Sequence, residues 1–288
     1  MLRSTRREFR AALKPGAALI LPGVANALAA RVVADQGFAA AYVTGAGIAN
    51  TFLGIPDNGL VTLSELVEHV AAIREVFPGP LMVDADTGFG NALNMRRTIQ
   101  MLERAGADAI QIEDQVFPKR CGHFEGKEVI PAAEMVAKIK AAVDARTDSD
   151  LMIVARTDAI AVEGFSAAMD RAEAFREAGA DVGFVEAPTN AEQIAQIGRL
   201  PWPQIISVVI GGKTPELGND ELKRLGFAGV LYANTALQAA VLGMQKALGH
   251  LKANGRMGDG ADLLATFAER QRLVDIAAFQ AMEQKYKA

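Results

Sequence analysis

The chain has one cysteine, one tryptophan, three tyrosines and three histidines among its 288 residues. A single thiol excludes an intrachain disulfide and suits a reducing compartment, so a cytoplasmic protein is expected. So few histidine and cysteine side chains make a poor ligand set for zinc. No apolar run approaches the roughly 20 residues that a membrane helix needs. No basic run is interleaved with aromatics, and the formal net charge is −4, which argues against nucleic acid as a partner. What is present is a globular composition, 50% hydrophobic and 22% charged, with enough apolar material for a substantial core.

The first sixteen residues, MLRSTRREFRAALKPG, are Arg-rich in the manner of a transit sequence. They also read as a helix, and that reading is preferred. Thr5 and Glu8 have the spacing of a capping box, Phe9 and Leu13 share one helical face, and Gly16 stops the helix.

Short apolar runs then recur at Leu19–Val24, 40–44, 81–86, 109–114, 151–156, 182–187, 205–210 and 229–234. Segments of helical period lie between them, among them Leu63–Val76, 95–105, 132–143, 166–178 and 235–251. Eight strand–helix repeats with near-continuously apolar strands predict an α/β protein built as one closed (β/α)₈ barrel, a single domain over 1–288. The phrases ERAGADAI and REAGADVG repeat one helix–strand join, with Gly106 and Gly179 as C-caps. A loop at 257–260 and a last helical segment at 261–287 exceed what a barrel requires. That amphipathic segment must bury its apolar face under the barrel or on a partner subunit.

In such barrels chemistry gathers at the carboxyl ends of the strands. Those ends here carry Tyr42, Thr44, Gly45 and Ala46; Asp84 and Asp86; Glu113 and Asp114; Arg156 and Asp158; Glu186; and Asn234. Asp84 and Asp86 are two apart and share a strand face. Carboxylates converging there with Glu113 repel unless a cation lies between them. An oxygen-only set suits Mg²⁺ or Mn²⁺. The alternative is structural, with Asp86 capping the next helix and Glu113 paired to Arg156. The GAG after the second run has tight-turn character, with backbone N–H groups able to hold an anion. It is not the dinucleotide fingerprint, because no G-x-G-x-x-G opens a helix there.

The lone cysteine lies in DQVFPKRCGHFEGKEV (114–129), a loop longer than most strand–helix connections and so a candidate lid or binding element. Lys119, Arg120 and His123 would lower the pKa of Cys121 and draw in an anionic substrate. The alternative is an incidental surface cysteine. His69 and His250 fall on helices and read as structural; Trp202 reads as packing.

Taken together, YVTGAGIANTFLGIPDNGLVT (42–62), VDADTGFGN (83–91), IEDQVFPKRCGH (112–123), EMVAKIKAA (134–142), ARTDA (155–159) and GGKTP (211–215) resemble the isocitrate lyase and phosphoenolpyruvate mutase superfamily over nearly the whole chain. The K-R-C-G-H element is similar to its lyase branch, the methylisocitrate and 2,3-dimethylmalate lyases; the mutase branch lacks the thiol. The resemblance implies a barrel whose last helix is exchanged between subunits of a homotetramer. It implies Mg²⁺ held by Asp84 directly and by Asp57, Asp86 and Glu113 through water. It implies carboxylate binding by Thr44, Gly45 and Ala46 on one side and by Arg156 and His123 elsewhere. Lys119, Gly122, Glu186, Ser207 and Asn234 join them as substrate-binding positions, and Cys121 matches a catalytic thiol.

Tricarboxylate-cleaving relatives carry Asn at the position of Ser207, Glu at that of Ile210 and Arg at that of Gln238. Relatives place Pro, Thr or Ser at that of Ala233. Without the Arg and Glu a third carboxylate would be left unpaired, which is costly when buried. A smaller, more apolar 2-hydroxy dicarboxylate is therefore expected. The implied reaction is retro-aldol cleavage through an aci-carboxylate stabilised by Arg156 and His123 and protonated by Cys121, with Tyr42 the candidate base. Decarboxylation or hydrolysis of oxaloacetate on the same platform is the first alternative. A phosphonomutase and a non-enzymatic carboxylate-binding barrel follow it.

Overall fold

The computed structural model describes residues 2–120, 122, 126–212 and 214–287. Cys121 and His123 lie outside the described residues. The chain begins with helix α1 (Leu2–Ala12) and strand β1 (Leu19–Val24), then α2 (Ala27–Asp35), β2 (Ala41–Val43), the single turn α3 (Gly45–Ile48) and α4 (Leu63–Val76). The alternation continues through β3 (Leu81–Asp84), α5 (Ala92–Ala105), β4 (Ala109–Glu113), α6 (Ala132–Ala145), β5 (Met152–Thr157) and α7 (Phe165–Glu177). It ends with β6 (Val182–Val185), α8 (Ala191–Gly198), β7 (Gln204–Ser207), α9 (Asn219–Leu225), β8 (Gly229–Tyr232) and α10 (Thr235–Asn254). The eight strands are parallel and close in chain order, with Leu19 of β1 opposite Gly229 of β8. Closure leaves no open sheet edge. The expected (β/α)₈ barrel is the fold.

Side chains alternate across each strand, and this parity builds the interior. Leu21, Tyr42, Met82, Ala109, Val154, Phe184, Ile205 and Leu231 form one inner cluster. Helix α1 closes its base: Phe9 and Leu13 belong to the same cluster, fully buried. Moving up each strand in steps of two, the inward positions turn polar: Met82 to Asp84, Ala109 to Gln111 and Glu113, Val154 to Arg156, Phe184 to Glu186, Ile205 to Ser207. The same period thus gives an apolar floor and a charged mouth.

Several expectations need correction. Thr5 does not cap a helix, because α1 already starts at Leu2; its hydroxyl instead donates to Asp108 Oδ1 at 2.6 Å. The strands stop sooner than read at 81–86, 182–187, 205–210 and 229–234, where the chain leaves the ladder at the mouth. Gly106 does adopt a left-handed cap, φ 104°. Gly179, φ 103°, follows the cap Ala178 by one residue. The last segment is not one helix. A 3₁₀ turn (Gly258–Leu263), α11 (Phe267–Leu273) and α12 (Ile276–Tyr286) replace it, with Asp275 at φ 61° between the last two. Helix α10 buries none of its residues, and Leu242, Met244, Leu248, Phe267 and Phe279 are exposed. No helix among the described residues is long and apolar enough to cross a membrane.

Candidate active site

A cleft of about 470 Å³, counting its open mouth, lies at the carboxyl ends of the strands. Tyr42, Thr44, Ala46, Asp57, Asp84, Lys119, Gly122, Arg156, Glu186, Ser207 and Asn234 all line it. Gly45, Asp86 and Glu113 stand behind that lining. Of the sixteen site residues expected from the sequence, the fourteen that are described therefore meet at one place.

The acids form the first half. Asp84 Oδ1 accepts from Gln111 Nε2 at 3.1 Å and from the Asp86 amide at 3.2 Å. A side-chain carbon at Gly45 would stand 3.1 Å from Asp84 Oδ2 and 3.2 Å from Asp86 Oδ1, so both carboxylates face that glycine. Asp86 does not cap the following helix; Asn91 does. Lys119 Nζ lies 2.5 Å from Asp57 Oδ1 and 3.0 Å from Asp86 Oδ1. Its charge is shared with these acids where it lines the cleft. Burial opposes that charge, yet Asp86, Glu113, Asp57 and Asp84 outweigh it and hold the ammonium well above the ordinary lysine range. Burial, with Asp84 and Asp57 adding and Lys119 opposing, pushes Asp86 up to about 7. Glu113 is pushed well above the carboxylate range by burial, against the pull of Arg156.

A divalent cation fits this set. The ligand atoms are hard carboxylate oxygens. Glu113 Oε1 is buried without a hydrogen-bond partner among the described residues. Asp57 and Asp86 both contact the single charge of Lys119, with Asp84 and Glu113 nearby, so the acids outnumber it. Among the described residues no three His, Cys, Asp or Glu side chains are arranged to grip one ion directly. An ion here would keep water in its shell, as Mg²⁺ does.

Arg156 is the centre of the other half. Its Nε and Nη2 meet Asp158 Oδ2 and Oδ1 at 2.9 and 3.0 Å, a bidentate pair. Its Nε is 3.3 Å from Glu113 Oε2 and its Nη2 3.7 Å from Glu186 Oε1. The structural pairing considered for Glu113 therefore coexists with its place among the acids. The guanidinium also lies over Phe184, 5.2 Å from the ring centroid.

The remaining positions refine the picture. The GAG is not a free tight turn: α3 is capped by Thr44, Gly45 N–H goes to Asp84 Oδ2 at 3.4 Å, and Gly47 N–H to Thr44 Oγ1 at 3.2 Å. Two of its amides are thus taken. Tyr42 donates its hydroxyl to Gln111 Oε1 at 3.0 Å. Burial and the charge of Asp84 push its ionisation well above the usual phenol, which opposes its use as a base and suits it to donating a hydrogen bond. Asn234 Oδ1 is buried at the cleft without a hydrogen-bond partner among the described residues.

Around Ser207 and Asn234 the wall is Val209, Leu231 and Ala233, with no cation among the described lining there. Ile210 is 58% exposed, Gln238 is also exposed, and neither lines the cleft. Sequence reasoning missed Gln111, which links Tyr42 to Asp84. Its signal was a lone amide in the apolar run AIQIE, in step with Glu113. Lys127 was missed as well, one cation among several in a charged loop.

A family model described as phosphoenolpyruvate phosphomutase matches residues 9–252. The 2,3-dimethylmalate lyase of Eubacterium barkeri is 40% identical over 284 residues, 98% of this chain and 98% of that one. The 2-methylisocitrate lyase of Salmonella typhimurium is 40% identical over 291 residues, 100% of this chain and 97% of that one. Among solved structures, oxaloacetate acetylhydrolase in complex with the inhibitor 3,3-difluorooxalacetate superposes with a TM-score of 0.92 at 31% identity, over 98% of this chain and 97% of that one. A phosphonopyruvate hydrolase complex with oxalate and Mg²⁺ superposes with a TM-score of 0.88 at 28% identity, over 99% of this chain and 100% of that one.

Proposed function

The chain belongs to the phosphoenolpyruvate mutase and isocitrate lyase superfamily and is an enzyme of the carbon–carbon lyase type; from that premise we propose that it cleaves a small 2-hydroxy dicarboxylate of the 2,3-dimethylmalate kind. Two relatives with different substrates are equally identical, so identity does not choose between them. The cleft wall supports the smaller acid. The observation that carries the reading is the neutral side formed by Ser207, Val209, Leu231 and Ala233 opposite the acids. Among the described residues two carboxylates have partners in the cleft and a third has none, which supports a dicarboxylate over methylisocitrate.

Asp84, with Asp57, Asp86 and Glu113 through water, would hold Mg²⁺ or Mn²⁺, which when bound offsets charge developing on the 2-oxygen of the substrate. Thr44 and Ala46 border the carboxylate and 2-hydroxyl end. The Tyr42 oxygen, whose own proton goes to Gln111 Oε1, accepts a hydrogen bond from the 2-hydroxyl and orients it; the hydroxyl proton leaves to solvent as the C2–C3 bond breaks, and solvent returns one when the Cys121 thiolate is reprotonated. Arg156, fixed by Asp158, and His123 pair with the second carboxylate as it takes up the electrons of the breaking C2–C3 bond. Lys119 keeps Asp57 and Asp86 in place, while Gly122, Glu186, Ser207 and Asn234 border the bound acid. Cys121, beside Gly122 on the loop, gives its proton to the carbanion carbon. From 2,3-dimethylmalate the balanced products are pyruvate and propionate. A thiol that must stay reduced to do this fits a cytoplasmic enzyme. The exposed apolar faces of α10 and α12 fit exchange of the last helix within a homotetramer of one-domain subunits.

Hydrolysis of oxaloacetate is the second reading, supported by the likeness to the acetylhydrolase at a TM-score of 0.92. Purified protein with Mg²⁺ is incubated separately with 2,3-dimethylmalate, methylisocitrate and oxaloacetate, and the products are identified. Pyruvate and propionate from the first support the proposal. Acetate and oxalate from the third, with the first untouched, would replace it by the second reading.

A further inference from the structure

The loop between β4 and α6 reaches the cleft at Gly122 and is tied down behind it by Lys127. The Lys127 side chain is only 1% exposed, unusual for a cation in so polar a loop. Its Nζ lies 2.7 Å from Asp158 Oδ1 and also donates to the Gly122 carbonyl. Asp158 is the carboxylate that grips Arg156 with both oxygens. Gly122 in turn sits so close to Arg156 Nη2 and Glu186 Oε1 that no Cβ fits. One ammonium therefore joins the backbone of the loop tip to the group that orients the guanidinium.

Arg156 and Lys127 together face three buried carboxylates, Asp158, Glu113 and Glu186, so the lysine contributes to charge balance, but its geometry does more. Arg156 already meets Asp158 through two parallel hydrogen bonds, the strongest form such a pair takes. Burying a second cation is costly unless it is well paired. What Lys127 adds beyond charge is the bond to Gly122. The base of the loop is secured independently: the Arg120 amide donates to Gln115 Oε1 and Gln115 Nε2 to the Arg120 carbonyl, both at 2.9 Å, and Gln115 bridges to Val129. Removing Lys127 would free the tip and leave the base folded.

We infer that Lys127 is a positioning residue of the cleavage reaction, clamping the loop at Gly122 onto the Asp158–Arg156 pair and so fixing the Gly122 backbone and the guanidinium at the cleft. This rests on the reading of the cleft as the carboxylate site. The single cysteine neighbours Gly122, so its alkylation by iodoacetamide reports on the loop tip with no substrate present. The rate is read at its high-pH plateau, which removes any change in thiol pKa. Lys127→Met is expected to alkylate at least about tenfold faster than the wild type. Its kcat falls by about tenfold or more while KM changes less, and circular dichroism stays the same.

Lys127→Gln keeps a donor for the carbonyl and loses the charge; it is expected to fall between the two. It is run in parallel so that poor folding of either variant leaves the other to decide. Alkylation within about twofold of the wild type in the folded variants, or an unchanged kcat, overturns the inference. Failure of the functional reading looks different: the wild type would turn over none of the acids, while the alkylation comparison would still return its own answer.

Discussion

Lys119 Nζ stands 3.0 Å from Asp86 Oδ1, so the protein supplies its own monovalent counter-charge among the acids at the cleft. The Coulomb energy of that arrangement grows as water is excluded. A divalent ion would add to it rather than create the site from scattered charges.

Chelation is therefore expected to abolish turnover without unfolding the chain. Dialysis against EDTA lowers the rate by more than about a hundredfold, and Mg²⁺ or Mn²⁺ restores it. The melting temperature, followed by calorimetry, changes little because Lys119 still offsets Asp57 and Asp86. Asp84→Ala loses both the restored rate and Mn²⁺ binding measured by electron paramagnetic resonance.

Arg156→Lys keeps the charge and loses the fork that Asp158 grips at 2.9 and 3.0 Å. A point charge does not replace a bidentate guanidinium. Steady-state kinetics should show kcat/KM down by about a hundredfold or more. The circular dichroism spectrum should match the wild type.

Cys121→Ser is expected to keep oxalate binding, measured by calorimetry in the presence of Mg²⁺, and to lose turnover by about a thousandfold. A hydroxyl is a far weaker acid than a thiol at neutral pH. A normal rate in this variant would remove the thiol from the reaction.

At the opposite end of the barrel, Arg6 of α1 bonds Glu103 Oε1 at 3.2 Å, Asp148 Oδ2 at 3.0 Å and the Ala107 carbonyl at 3.2 Å, all inside the protein. Arg6→Met leaves a buried acid uncompensated, and urea unfolding should show a loss of about 3–5 kcal/mol. Activity at 25 °C should be retained, since Arg6 is remote from the cleft.

The barrel was readable because its signals are local. Eight apolar runs and the helical periods between them need no knowledge of distant contacts. The charged mouth was readable for the same reason: Asp84, Glu113, Arg156 and Glu186 each fall on the inward parity at the end of a run. What escaped depends on residues far apart in the chain. Thr5 has the spacing of a cap, but its partner Asp108 is 103 positions away. Lys119 pairs with Asp57 across 62 positions, which only the folded loop reveals. Lys127 looked like one more cation in a charged stretch until burial set it apart. The break between α11 and α12 falls at Val274 and Asp275, with no glycine or proline to announce it.

Closure of the sheet also has a temporal side. Leu19 in the first strand finds its neighbour Gly229 only when the last strand exists. During synthesis at about 5–20 residues per second, the leading strand waits roughly 10–40 s with one flank unpaired. The nascent protein is an unfinished staircase for that interval, and its yield in a cell should depend on how well chaperones shield that flank.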